Sequence, residues 1–88
     1  MKVAFLSRFG KDIDNIDDRT VKLKITHIIE QIEQARSIFE IPHVKKISGY
    51  KNTYRIKAGD YRLGFYYDGE VVEFARALHR KDIYKLFP

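Results

Sequence analysis

The sequence lacks cysteine and tryptophan altogether, and its 88 residues include only two prolines and five glycines. Without cysteine there is no disulfide framework and no thiolate metal site. No HExxH or CxxC pattern is present, and no two carboxylates are spaced for general acid–base work. Serine occurs only at Ser7, Ser37 and Ser48, none with a His-Asp partner in view, so a serine triad has no nucleophile to build on. No glycine-rich phosphate loop, internal repeat, linker or low-complexity segment breaks the chain. Lys2 followed by Val3-Ala4-Phe5-Leu6 is too short for a signal peptide, and no apolar run approaches membrane-spanning length. These absences lead us to expect a soluble cytoplasmic protein with no membrane association, no metal and no cofactor.

Hydrophobic residues at 44% and aromatics at 14% are enough for a packed core rather than a disordered chain. At this length one core fits, so residues 1–88 are read as a single domain. The formal charge of +5 is unevenly distributed. Residues 1–40 carry seven basic and seven acidic side chains, whereas residues 41–88 carry ten basic and five acidic ones. The second half is therefore expected to meet something anionic, either nucleic acid or an acidic protein.

Met1 to Leu6, with apolar Val3, Ala4, Phe5 and Leu6, reads as a short strand. Ser7 is a possible helix cap, and Phe9, Ile13 and Ile16 recur at helical spacing, with Gly10 keeping that helix short. Asp18 is a good N-cap for the next helix. There Val21, Ile25, Ile28, Ile32, Ala35 and Phe39 form a stripe at alternating steps of four and three, which predicts a helix running up to Pro42. Residues 42–52 read as a polar, basic loop anchored by Val44 and Ile47. His27 is read as a surface histidine, and His43 is left unassigned.

The stretch from Tyr54 to Ala75 organises the rest. Gly59-Asp60 and Asp68-Gly69 both read as two-residue hairpin turns, giving three antiparallel strands. Under that register Arg55 faces Gly64, Lys57 faces Arg62, Leu63 faces Phe74 and Phe65 faces Val72. One face then collects Tyr54, Ile56, Leu63, Phe65, Val72, Phe74 and Leu78, and should be the core. The other collects Arg55, Lys57, Arg62, Glu73 and His79, with Glu73 across Gly64 from Arg55 as a possible ion-pair partner. Residues 79–87 should add two helical turns that pack back through Ile83 and Leu86 or Phe87. The expected order is β-α-α-β-β-β-(α), an α+β domain. Its sheet should have four strands, mostly antiparallel, with both helices on one face and the cations open to solvent on the other.

Cations on a sheet face, together with His79, Arg80 and Tyr84, suit metal-free cleavage of RNA. The substrate brings its own nucleophile, the 2′-hydroxyl. The protein must take that proton, stabilise a phosphorane and protonate the leaving oxygen. Arginine fits the second role because its fork matches phosphate oxygens and keeps its charge. Exposed tyrosines can stack splayed bases. Lys57, Arg62, His79, Arg80 and Tyr84 are the catalytic candidates. Arg55, Lys57 and the loop lysines Lys46 and Lys51 are the candidates for binding the RNA backbone. A solvated basic face without function is the plainer reading of the same cations.

The run Tyr54-Arg55-Ile56-Lys57, Gly59-Asp60-Tyr61-Arg62-Leu63, Ala77-Leu78-His79-Arg80 and Tyr84 resembles the RelE/ParE superfamily of toxin–antitoxin toxins over nearly the whole chain. The resemblance implies a microbial-RNase-like fold and, in the RelE branch, a ribosome-dependent endonuclease that cuts mRNA in the A site. It places the family's basic residues on Arg55, Lys57, Arg62 and Arg80 and its C-terminal tyrosine on Tyr84. It also points to His79 for proton transfer. Arg55 stands where some members have lysine, and an arginine cannot serve as a general base. The implied partners are an acidic antitoxin, in a hetero-oligomer with it, and the ribosome with its mRNA. The ParE branch, which poisons DNA gyrase on the same fold, and an inactive antitoxin-binding module are the alternatives.

Overall fold

The structure is a computed structural model describing residues 1–88. Its elements are β1 (Lys2–Phe5), α1 (Ser7–Asp14), α2 (Arg19–Gln34), a 3-10 turn (Ile38–Glu40), β2 (Val44–Lys46), β3 (Thr53–Ala58), β4 (Tyr61–Tyr67), β5 (Val71–His79) and α3 (Ile83–Leu86). The strands form one sheet in the order β1-β5-β4-β3-β2. β1 pairs parallel to β5, and every other pairing is antiparallel. The α+β class and the helix-covered meander are as expected. The sheet has five strands rather than four, because part of the basic loop, Val44 to Lys46, pairs with Tyr54 to Ile56.

Asp18 caps α2 by accepting hydrogen bonds from the amides of Thr20 (2.9 Å) and Val21 (3.3 Å). Ser7 caps nothing: it is the first helical residue of α1, and Leu6 occupies the cap position without a side-chain bond. The apolar stripe of α2 buries Val21, Ile25 and Ile32 against the sheet, but the helix ends at Gln34, before the stripe does. The Ser37 side chain caps the 3-10 turn instead, accepting from the Phe39 amide at 3.2 Å. That turn buries Ile38 completely and leaves Phe39 72% exposed, so Ile38 and not Phe39 closes the core at this end.

The core beneath the helices contains Phe9, Ile16, Val21, Ile25, Ile32, Ile38, Ile56, Ala58, Leu63, Phe65, Val72, Phe74 and Ala77. On the opposite face a second, smaller cluster joins Ile47, Ala75, Ile83 and Phe87. The cationic face is therefore partly covered. α3 is a single turn that lays Ile83 and then Phe87 onto the sheet, while Leu86 stays 52% exposed. The floor under Phe87 is Gly64, where a Cβ would stand 2.6 Å from the ring. Only glycine admits that contact.

The β3–β4 register agrees with the reading from sequence, from Arg55 opposite Gly64 to Ala58 opposite Tyr61, across a turn with Gly59 at φ +62°. The β4–β5 register differs. Tyr67 pairs with Val72, Tyr66 with Glu73 and Phe65 with Phe74, so the connection is longer than two residues. Its cause is local: the Asp68 carboxylate accepts from the amides of Glu70 (2.8 Å) and Val71 (2.9 Å) and winds the chain through Gly69 at φ +101°. Those two bonds hold the Asp68 carboxyl below its ordinary 3.8.

Further along, Gly64 pairs with Arg76, and Ala75 is an extra residue in β5. This β-bulge inserts one residue and so reverses which face every later side chain takes. Ala77 joins the core beneath the helices, while Leu78 packs against the cluster on the other face. Both positions are the reverse of simple alternation from Phe74. β1 ends at Phe5 while β5 continues to His79, which leaves an exposed strand edge. α1 closes it: Asp12 accepts from the Ala77 amide at 2.9 Å and from Arg76 Nε and Nη2 at 2.8 and 3.2 Å.

Candidate functional site

The face away from α1 and α2 carries Arg55 and Lys57 from β3 and Arg62 from β4, with Arg62 directly opposite Lys57. Lys57 is exposed, and Arg55 and Arg62 are half-buried. Arg62 Nη1 donates to the carbonyls of Gly59 (2.8 Å) and Tyr61 (2.9 Å). These bonds fold the guanidinium back over its own turn and leave Nε and Nη2 for another acceptor. Arg55 lies over the Tyr84 ring, with Cζ 5.4 Å from its centroid. Tyr84 itself is 64% exposed, so a stacking platform and a cation stand side by side at the edge of the site.

The remaining candidates are dispersed. Arg80 is exposed just beyond β5, its amide bonded to the Asp60 carbonyl at 2.8 Å, which ties it to the β3–β4 turn near Arg62. His79 is not on the cationic face. It pairs with Tyr61, and their rings meet edge to face at 5.6 Å on the helix side. The bulge at Ala75 is the reason, since it moves residue 79 to the face opposite Arg62. His79 Nδ1 also accepts from the Lys81 amide at 3.2 Å. With Nδ1 accepting, the neutral ring carries its hydrogen on Nε2, from which it can donate a hydrogen bond.

Lys46 lies opposite Tyr54 and takes the helix-side face, whereas Lys45, opposite Arg55, shares the cationic one. Lys51 is exposed in the turn before β3. Glu73 lies opposite Tyr66 and forms no ion pair with Arg55 or Arg62, because the shifted register carries it along the strand. No three His, Cys, Asp or Glu side chains gather as a metal-binding group.

Two basic residues of this face escaped the reading from sequence. Lys45 was hidden by treating residues 42–52 as loop, although Val44, inward on β2, was a signal for a strand. Arg76 was hidden by the bulge. Strict alternation from Phe74 would bury Arg76, and a charged residue in a core position is itself a sign of a register break. Arg76 instead forms the molecule's one ion pair, with Asp12. The hydrogen bond to Asp12 raises the Arg76 pKa above its ordinary value, so the guanidinium remains charged throughout any working pH range.

A family model described as the ParE toxin of the parDE type II toxin–antitoxin system matches residues 3–84. Toxin RelE3 of Methanocaldococcus jannaschii is 40% identical over 89 residues, covering all of both chains. Among solved structures, the RelB–RelE antitoxin–toxin complex from Methanococcus jannaschii superposes with a TM-score of 0.83 at 38% identity, over 97% of this chain and 99% of that one. The YoeB dimer from Staphylococcus aureus, with a TM-score of 0.73 at 17% identity over 90% and 95% of the two chains, shares the fold. No helix here is long and apolar enough to cross a membrane. The five-stranded sheet with α1 and α2 on one side, the cations on the other and these full-length matches have one reading: the chain belongs to the RelE/ParE superfamily, the toxins of type II toxin–antitoxin systems.

Proposed function

We propose that this toxin is a ribosome-dependent endoribonuclease that cuts mRNA without a metal ion. The observation that carries the reading is the grouping of Arg55, Lys57 and Arg62 on one sheet face, beside the exposed Tyr84 ring. The kinship at 40% identity to a RelE-named toxin supports it. The RNA 2′-oxygen attacks the adjacent phosphorus as its proton passes to water, and the P–O5′ bond breaks as the leaving oxygen takes up a proton, giving a 2′,3′-cyclic phosphate and a 5′-hydroxyl. Arg62, with Nε and Nη2 available, grips the phosphate and stabilises the charge that grows on the phosphorane. Lys57 faces it across the strand pair, and Arg55 and Lys45 hold the flanking backbone. Tyr84 stacks a base, and Arg80 completes the cationic rim. His79, at the margin of the sheet, serves as the proton donor in its imidazolium form.

The partner is an acidic antitoxin, as suggested by the likeness to a RelB–RelE complex and by the basic second half of the chain. Complex formation is expected to be faster at low salt. The ParE description of the family model favours a second reading, inhibition of DNA gyrase.

Induction in growing cells separates the two. Loss of mRNA supports the nuclease, while arrested replication with intact mRNA supports the gyrase inhibitor. Purified toxin with programmed ribosomes should cut in the presence of EDTA. Arg62→Ala should lower the cleavage rate by about 10²–10³ with folding and antitoxin binding retained. A folded Arg62→Ala protein as toxic as its parent at matched expression would overturn the reading.

A further inference from the structure

Beside the C-terminal segment, on the cationic side of the sheet, lies a cavity of about 450 Å³ whose lining includes Leu6, Arg8, Tyr66, Arg76, Leu86 and Phe87. We propose that it is a nucleotide subsite, which receives a residue of the RNA strand neighbouring the one held at Arg62. The inference rests on the RNA-cleaving reading and adds a second contact point to it. Three observations support it.

The first is composition. The half-buried Tyr66 ring is backed by the buried Phe87 ring at a centroid separation of 5.4 Å, and Leu6 and Leu86 add exposed apolar surface. The charged side chains of the lining are both arginines, and neither Asp nor Glu contributes to it. A planar base with an anionic phosphate is the ligand class that uses rings and guanidinia together. The volume lies within the range of small-ligand sites.

The second is preorganisation. Asp12 occupies Arg76 Nε and Nη2 and fixes the guanidinium, while Nη1 has only the Leu86 carbonyl, at 3.5 Å. Arg8 is exposed and makes no ion pair, so its guanidinium is available to a ligand in the cavity.

The third is continuity with the cleavage face. Arg55, Gly64 and Arg76 are consecutive partners across β3, β4 and β5. With strands about 4.8 Å apart, Arg76 stands roughly 10 Å from Arg55, a distance one or two nucleotides can span. The Phe87 ring on bare Gly64 is the divider between the two positions.

The test is an ¹⁵N-resolved NMR titration of the full chain with adenosine 3′-monophosphate. Saturable shifts are expected at the amides of Ser7, Arg8, Ala75, Arg76 and Phe87. Arg8→Glu should weaken binding about tenfold by removing one charge-assisted contact. Tyr66→Leu should weaken it too, and Arg62→Ala should leave it unchanged. Shifts confined to residues 55–62, no saturable shift, or equal affinity in Arg8→Glu would overturn the subsite. So would inorganic phosphate reproducing the same shifts at the same affinity, since the rings would then contribute nothing. Cleavage on ribosomes is scored separately. Cavity binding without cleavage sinks the nuclease reading and keeps a nucleotide site, whereas cleavage without cavity binding sinks the subsite alone.

Discussion

The two hairpins begin from nearly the same signal and end differently. In β3–β4 the glycine at φ +62° closes a two-residue turn, and every pair from Thr53–Tyr66 to Ala58–Tyr61 follows without a break. In β4–β5 the Asp68 carboxylate captures two amides and lengthens the connection, and an extra residue then enters at Ala75. The first hairpin thus carries Lys57 and Arg62 to the same face simply by alternation. The second delivers Arg76 to that face and removes His79 from it through a single inserted residue. A hairpin with a two-residue turn conveys register faithfully from sequence to sheet. A bulged hairpin rewrites it, and here the rewriting decides which side chains belong to the candidate site.

Phe74→Ala is the most severe way to break this contrast. Phe74 pairs with Phe65 just ahead of the bulge and both are fully buried, so truncation should cost about 3–5 kcal/mol in chemical denaturation.

Gly64→Ala tests what lies above the bulge. Its Cβ would stand 2.6 Å from the Phe87 ring, so the C-terminal segment must shift, at a cost of about 1–3 kcal/mol. An unchanged melting temperature would mean that the ring moves aside freely. Asp12→Ala leaves the Ala77 amide without its acceptor and frees the Arg76 guanidinium. A loss of about 1–3 kcal/mol is expected, together with faster hydrogen exchange at Ala77. Unchanged exchange at Ala77 would show that α1 does not guard the end of β5.

The smallest effect should come from Asp68→Ala in the turn. Because the folded carboxyl titrates below its ordinary 3.8, its contribution to stability is present above that value and fades as pH falls through the folded pKa. Thermal melts should therefore show parent and variant converging under strongly acid conditions and separated near neutrality. A difference that persists at low pH would assign the effect to something other than the carboxylate.

Much of the molecule was decided locally, and local decisions are legible in sequence. The helical stripe of α2, the Asp18 cap, the Gly59 turn and the alternation of β3 each depend on residues a few positions apart, where capping, periodicity and backbone preference act. They were sufficient to place Arg55, Lys57 and Arg62 together, and the motif residues around them carried the family. What needed the tertiary structure was whatever depended on distant partners. β2 exists because Val44 to Lys46 meet the free edge of β3, and α2 stops short of its stripe because Ile38 finds a better position through a separate turn. The bulge at Ala75 is held from outside its own hairpin, by Asp12 at one edge and by Phe87 over Gly64. A residue's face in a strand is a matter of parity, and parity is lost to a single insertion that only long-range contacts can stabilise. For that reason Arg62 could be placed from the sequence alone, while Arg76 and His79 could not.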